Sequence, residues 1–435
     1  MIPKMVFADE KGKIFDHPSL EMMGMEGAFA FRIRPEDLVP LPEGSKLFSL
    51  PGCFPVGWDP REKKSAIFEE IAWGHKTHRI QAVSAFMSPG FTRAYLPAAV
   101  RGERTPVLPL WAYASVGWRD GRFWVTGIRV DRETKWDAAR YDDRALLPQV
   151  AKKMKEFPKN RLLKHLKRCA TRYHCLAAKN LFLERWECPL PISPACNADC
   201  LGCLSLQPQD RFQASHERLD FIPTVEEVLE IAVSHLENAP DPVVSFGQGC
   251  DGEPLLQAPL IAEMIRAIRR ETPKGVIHIN SNGFSPERVA LLCEAGLDSL
   301  RISLNSAQKK HYERYSNPRN FRFEDVRSSL KTASECGIFT SVNYLTFPGL
   351  TDSKKEIEAF SNLIAKSKPS LVQWKNLNID PFRYGELMGP FPGGIAGMRA
   401  AIQTARERFP DLQFGYFNRP RRGIEAFRRK QRGRA

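Results

Sequence analysis

The chain runs through three successive patterns of apolar and polar positions. The first 140 or so residues are rich in Pro, Gly and aromatics, which predicts mostly β-structure. Within them, Trp118-Arg119-Asp120-Gly121-Arg122-Phe123-Trp124 predicts a hairpin, because Asp-Gly supplies the positive φ of a tight primed turn. From about Leu146 to Glu184 the pattern is helical and basic. Leu162, Leu163 and Leu166 mark an apolar face among Lys152, Lys153, Lys155, Lys159, Arg161, Lys164, Lys167, Arg168 and Arg172. From Trp186 onward, short β-type runs alternate with helical ones. Strands are predicted at Val243–Phe246, Gly275–Asn280, Ser299–Leu304, Thr340–Thr346 and Leu371–Ile379. Helices are predicted at Val225–Leu236, Pro259–Arg270, Pro286–Ala295, Phe323–Glu335 and Lys354–Ser367.

Such alternation implies parallel strands joined by right-handed crossovers. With a first strand ending near Pro194, six βα units result. The expected fold class is α/β: a partial (β/α)6 barrel, an N-terminal mixed and partly β domain, and a basic C-terminal tail. The expected division is residues 1–140 as a β-rich accessory or substrate domain and 141–185 as a basic helical connector. Residues 186–385 form the barrel, and 386–435 a C-terminal helix and strand extension with the tail. Ligands of such sheets sit at the carboxyl ends of the strands.

Composition narrows the class. Of 435 residues, 43% are hydrophobic and 26% charged, enough for a large core and against bulk disorder. No run approaches the ~18 apolar residues of a membrane helix, and the N-terminus lacks a secretory signal. A cytoplasmic protein with no membrane partner is expected. The net charge of +14 favours an anionic partner such as nucleic acid, although a basic protein need not have one. Ten cysteines in a reducing compartment point to metal ligation or redox chemistry in place of disulfides.

Cys196, Cys200 and Cys203 place three thiolates within eight residues, directly after the first barrel strand. Soft thiolates select zinc, copper(I) or iron–sulfur clusters, and a closed structural site needs four ligands. No fourth cysteine follows at a matching short spacing, so the choices are a zinc site completed from a distance or a four-iron cluster with one open iron. The spacing Cys-x3-Cys-x2-Cys on a strand-end loop resembles the defining motif of the radical S-adenosylmethionine (radical SAM) superfamily. Later strand ends add to the likeness. Gly249-Cys250-Asp251-Gly252-Glu253-Pro254 is similar to the family's Gly-Gly-Glu-Pro, with Asp251 in place of the first Gly. Ser281-Asn282-Gly283 and Ser303-Leu304-Asn305 occupy the next two strand ends, and Asn343 the fifth. The resemblance covers roughly residues 190 to 385.

It implies a 4Fe-4S cluster on Cys196, Cys200 and Cys203 whose open iron binds S-adenosylmethionine. One electron from the cluster then releases a 5′-deoxyadenosyl radical. It also implies cofactor contacts from Gly252, Glu253, Pro254, Ser281, Asn282, Ser303, Asn305 and Asn343, and a low-potential electron donor as partner. Catalytic residues beyond these are not identified.

Cys169, Cys175 and Cys188 fall just before the barrel, and Cys53 could join them, so an auxiliary iron–sulfur cluster is one reading and free thiols the other. Cys250 adjoins the cofactor loop, where it could donate a hydrogen atom or simply pack. Cys293 and Cys336 read as packing residues, and His75 with His78 as a solvated pair. Trp111, Tyr113, Trp118, Phe123 and Trp124 could stack on bases or form sheet core. The last residues, Arg419, Arg421, Arg422, Arg428, Arg429, Lys430, Arg432 and Arg434, read as a solvated tail or a phosphate-binding arm. Three functions follow: a radical SAM enzyme modifying RNA; one acting on a peptide, protein side chain or metabolite; and a non-enzymatic iron–sulfur or zinc module that binds nucleic acid.

Overall fold

The computed structural model describes the chain except residues 74–75, 104, 138–139, 209–210, 392 and 433–435. His75 and Arg434 therefore lie outside the described residues, while His78 is exposed on a short strand, Lys76–Arg79.

Thirteen strands between Lys4 and Arg129 form one antiparallel sheet. The expected hairpin is present: Val116–Arg119 pairs with Arg122–Arg129, and Asp120 and Gly121 both take positive φ, 53° and 75°. Its aromatics are engaged with one another. Trp118 and Phe123 meet edge to face at 4.7 Å, and the Arg119 guanidinium lies 3.7 Å from the Trp124 ring. Tyr113 is buried and donates its hydroxyl to the Pro109 carbonyl at 2.7 Å. Trp111 alone of the five is substantially exposed, at 42%. Sheet packing thus accounts for most of what resembled a stacking platform.

The basic stretch is three helices, Asp143–Glu156, Arg161–Thr171 and Leu176–Phe182, where the sequence pattern suggested one run. Asn160 makes the first break. Its side chain accepts from the Leu163 amide at 2.8 Å as an N-cap and donates to the Glu227 carbonyl and Glu230 carboxylate. Leu162, Leu163 and Leu166 are fully buried, each contributing about 1.5–3 kcal/mol of hydrophobic stabilisation.

The second sheet has seven strands, all parallel and in sequential order: Glu187–Leu190, Val243–Phe246, Val276–Ser281, Ser299–Leu304, Phe339–Thr346, Leu371–Asn376 and Gln413–Gly415. Its crossover helices Val225–Asn238, Ala258–Glu271, Pro286–Glu294, Phe323–Glu335 and Lys354–Ser367 fall where the periodicity places them. Thr224 and Glu227 start the first with a capping box. Six strands were expected. The seventh, in register Leu371↔Gln413, is only three residues long, too short for periodicity to register.

The C-terminal residues also differ from a solvated tail. Arg421–Arg432 is a helix whose Ile424 and Phe427 are buried against Val243, Val276, Phe339 and Leu371, the first residues of four parallel strands. Arg421 donates to the Gly275 carbonyl and pairs with Asp298, and Arg422 pairs with Asp241. The helix therefore closes the amino end of the sheet.

The antiparallel sheet meets the other end. Buried Arg93 donates its amide to Asn376 Oδ1 at 2.8 Å and its guanidinium to the Leu377 carbonyl at 2.9 Å. The Leu108 amide reaches Asp380 Oδ2 at 2.9 Å. None of the described helices is long and apolar enough to cross a membrane.

Candidate active site

A cavity of about 510 Å³ opens at the carboxyl ends of the parallel strands, beneath Phe86, Met87 and Pro89 of the N-terminal region. Cys196, Cys200 and Cys203 line it, and so do all of Gly252, Glu253, Pro254, Ser281, Asn282, Ser303, Asn305 and Asn343. A second cavity of about 530 Å³, bordered by Phe29, Leu96, Phe382 and Phe391, receives none of these residues.

The triplet loop is held by its backbone against the end of helix Lys309–Ser316. Leu201 and Asp199 amides donate to the Tyr315 and Ser316 carbonyls, each at 2.9 Å, and the Arg319 amide donates to the Asn197 carbonyl at 2.8 Å. Gln207 donates to the carbonyls of Leu201 and Cys203. These bonds to its backbone hold the loop's shape. Burial raises the Cys196 thiol to about 11 and pushes Cys200 well above the ordinary thiol value, so a metal here must displace protons. Arg218 donates from Nη2 to the Cys203 sulfur at 3.3 Å.

The second and third strand ends interlock behind it. Asp251 is buried, and its carboxylate accepts from the amides of Ile192 (2.9 Å), Ser193 (2.6 Å) and Gly252 (2.9 Å). The residue that departs from the family pattern is therefore a clamp between this loop and the segment leading to the triplet. Gly252 admits no side chain, because a Cβ there would stand 1.9 Å from the Ala195 carbonyl oxygen. Glu253 accepts from Ser281 Oγ (2.6 Å), the Asn282 amide (2.8 Å) and the Leu255 amide (2.9 Å). Burial lifts both carboxyls to about 7 against these hydrogen bonds. Asn282 in turn donates to Asn197 Oδ1 at 2.8 Å, inside the triplet loop.

The remaining strand ends leave capacity unused. Asn343 donates to Ser303 Oγ at 2.9 Å, but its own Oδ1 is buried without a partner, as are Asn305 Oδ1 and Arg301 Nε. Unsatisfied buried polar atoms are rare, and three on one cavity wall suit a polar ligand. Arg301 and Lys375 add positive charge there; burial and then the Arg301 charge push the Lys375 ammonium below its ordinary value. Arg218, Arg301 and Lys375 were not singled out in the sequence. Arg301 and Lys375 sit on strands with nothing but strand position to mark them.

The four cysteines expected for an auxiliary cluster are not brought together. Cys53 is buried in the N-terminal sheet among Leu50, Ala82 and Tyr113. Cys188 is buried in the main core on the first parallel strand, close to Lys153. Cys175 opens helix Leu176–Phe182. Cys169 instead meets His165 and Cys250. Cys250 is buried and does not line the cavity, although its neighbours Gly249 and Asp251 do. Proximity in sequence misled here: Cys175 lies beside Cys169, with its amide donating to the Cys169 carbonyl at 3.0 Å, but Cys53 packs in the other sheet and Cys188 is turned into the main core on its strand. Of the two cysteines expected as packing residues, Cys293 is partly buried, and burial and then the neighbouring Cys336 push its thiol up to about 12, whereas Cys336 is exposed at the end of its helix.

Residues 190–361 match the family model described as Radical SAM superfamily. No curated protein sequence matches the chain. Among solved structures it is similar to native anSMEcpe with bound AdoMet, with TM-score 0.36 and 15% identity over 44% of this chain and 52% of that one. It is similar to Streptococcus suis SuiB bound to the precursor peptide SuiA, with TM-score 0.39 and 14% identity over 59% and 53%. A third is HydG, a maturase of the [FeFe]-hydrogenase, with TM-score 0.37 and 18% identity over 62% and 65%. The chain thus spans about half to two thirds of the length of these structures.

Proposed function

We propose that this chain is an enzyme that holds a 4Fe-4S cluster on Cys196, Cys200 and Cys203 and binds S-adenosylmethionine in the adjoining cavity. The observation that carries this is convergence: three thiols and eight strand-end residues from five strands line one space. The donor set fits the cluster, since among the described residues no fourth cysteine lines the cavity and one iron would stay open to it. With cluster and cofactor bound and an electron delivered by a low-potential donor, the chemistry supplied is reductive cleavage to a 5′-deoxyadenosyl radical. The protein's part is positioning and exclusion. Asp251 and Glu253 brace the loop that brings Gly252 against Ala195, so that at Gly252 backbone and not side chain would meet the cofactor. Asn305 and Asn343 offer free acceptors to hydroxyl or ammonium hydrogens, and the N-terminal sheet limits access of water.

RNA is the substrate this reading favours, on the net charge and on Lys152, Lys155, Lys159, Lys164 and Lys167. These five are exposed, and none has a carboxylate within ion-pair distance among the described residues. A specific observation supports the second reading, a peptide side chain or small metabolite: the cavity mouth is bordered by apolar Phe86, Met87 and Pro89. The chemistry is tested by reducing the anaerobically reconstituted protein with S-adenosylmethionine and measuring 5′-deoxyadenosine and methionine. Cluster-loaded protein that forms neither above background overturns it. Mass spectrometry of RNA and proteome from a strain lacking the gene separates the two substrates.

A further inference from the structure

We propose that His165, Cys169 and Cys250 bind a single zinc ion at a site separate from the cysteine triplet. His165 and Cys169 are four residues apart on helix Arg161–Thr171 and so share one face, with His Nε2 3.5 Å from the Cys169 sulfur. Cys250 enters from the loop after the second parallel strand. The three ligand atoms all lie within 4.8 Å of one another, and all three residues are buried. This is the one such group of His, Cys, Asp or Glu among the described residues.

The spacing identifies the kind of centre. Zinc–sulfur bonds of about 2.3 Å and zinc–nitrogen bonds of about 2.0–2.1 Å at a tetrahedral angle separate N from S by about 3.6 Å and S from S by about 3.8 Å. The observed 3.5 Å already matches the first of these. An iron–sulfur cluster puts each thiolate on a different iron and holds the sulfurs farther apart, so this group is too tight for one. A mixed imidazole and thiolate set suits zinc, which has no redox chemistry of its own. His216 and Cys175 lie near this group without joining it within 4.8 Å, so the three residues leave the fourth position of a tetrahedral ion to a water or to a shift of one of these neighbours.

The consequence is mechanical. An ion here ties the basic connector to the loop Gly249–Pro254, whose far side lines the cavity. It would hold that loop in place from behind, and this assignment does not depend on the identity of the triplet's cluster.

The test is metal analysis of the full chain, purified without added iron or sulfide. About one zinc per chain is expected. It should fall at least tenfold in Cys169→Ser/Cys250→Ser and persist when Cys196, Cys200 and Cys203 are all replaced by Ala. Cobalt(II) added to zinc-stripped wild-type protein should give the visible bands of a tetrahedral cobalt–thiolate site, which decides the matter even if the double variant misfolds. Wild-type protein that holds no zinc and gives no such bands overturns the proposal. So does zinc unchanged in a folded double variant, or extra iron with acid-labile sulfide lost from it.

Discussion

The two sulfur groups of this protein stand on opposite sides of one loop. On the cavity side, Cys196, Cys200 and Cys203 come from a single eight-residue segment, line an open space of about 510 Å³ and are not drawn together within 4.8 Å. Behind the loop, His165, Cys169 and Cys250 come from two distant segments, are buried and do meet within that distance. The wide set suits a cluster shared with a ligand, and the tight set suits one closed-in ion. Asp251 and Gly252, in the loop between them, tie it by hydrogen bond and close approach to the segment that leads into the triplet. A cysteine count cannot make this distinction; spacing and access do.

The largest effect expected is from removing the wide set. Cys196→Ala, Cys200→Ala and Cys203→Ala together should take 5′-deoxyadenosine formation to background and iron content to near zero. Retained, cofactor-dependent turnover in that variant would break the contrast outright. Next comes the loop itself. Gly252→Ala forces a methyl group toward the Ala195 carbonyl, from 1.9 Å, and must displace the backbone leading into Cys196. Overpacking of this kind costs about 1–3 kcal/mol. Iron retention and deoxyadenosine formation should fall severalfold while the metal behind the loop stays, which chemical unfolding and metal analysis together would show.

The difference in legibility between the two groups follows from the chain's geometry. The triplet is contiguous, so sequence displays it whole, and the strand-end residues Glu253, Ser281, Asn305 and Asn343 follow in the order of their strands. The parallel sheet was legible for a related reason, since helices such as Phe323–Glu335 carry their period within themselves. His165 was missed. Its only local sign was the four-residue offset from Cys169, and its partner Cys250 arrives through tertiary folding. Charge hid the C-terminal helix: Ile424 and Phe427 are three apart, on one face, but cationic neighbours masked them. Asp251 looked like a defect in a motif and is a three-amide clamp, which only the structure displays.

A smaller effect tests whether pH sensitivity belongs to the sulfur groups or lies elsewhere. Glu26, on the antiparallel sheet, and Asp352, after the fifth parallel strand, are near enough for the Asp352 charge to act on Glu26, and each has a buried oxygen lacking a partner. Burial, reinforced for Glu26 by the Asp352 charge, raises each to about 7. A carboxyl raised on folding binds more protons in the native state, so its stabilisation is full below about pH 4 and is lost as pH rises through about 7. Stability should therefore decline across that window, by up to about 1.4 kcal/mol per pH unit for one proton. Glu26→Gln should flatten the slope in denaturant titrations and leave both metals unchanged. An unaltered slope would move the effect to Asp251 and Glu253, between the two sulfur groups.

The smallest effect concerns the outer surface of the helix that carries His165 and Cys169. Its buried face holds the proposed ion, and its exposed face presents Lys164 and Lys167. Arg168 and Arg172 also point outward, but both engage Glu217, which leaves them less free for phosphate than the bare sequence suggests. The C-terminal arginines are further removed, since their helix covers the opposite end of the sheet from the cavity. If RNA tracks this surface, each neutralised phosphate changes the log–log salt slope by about 0.7 for a single strand. Lys164→Ala with Lys167→Ala should then reduce the slope by about 1.4, and Arg421→Ala should not reduce it at all. Fluorescence anisotropy with total cellular RNA across a salt series measures both. The zinc should survive the lysine changes, because one face of this helix can lose its charge without disturbing ligands on the other. A wild-type protein whose binding ignores salt would instead leave this face as solvated surface and direct the search for substrate to peptides and metabolites.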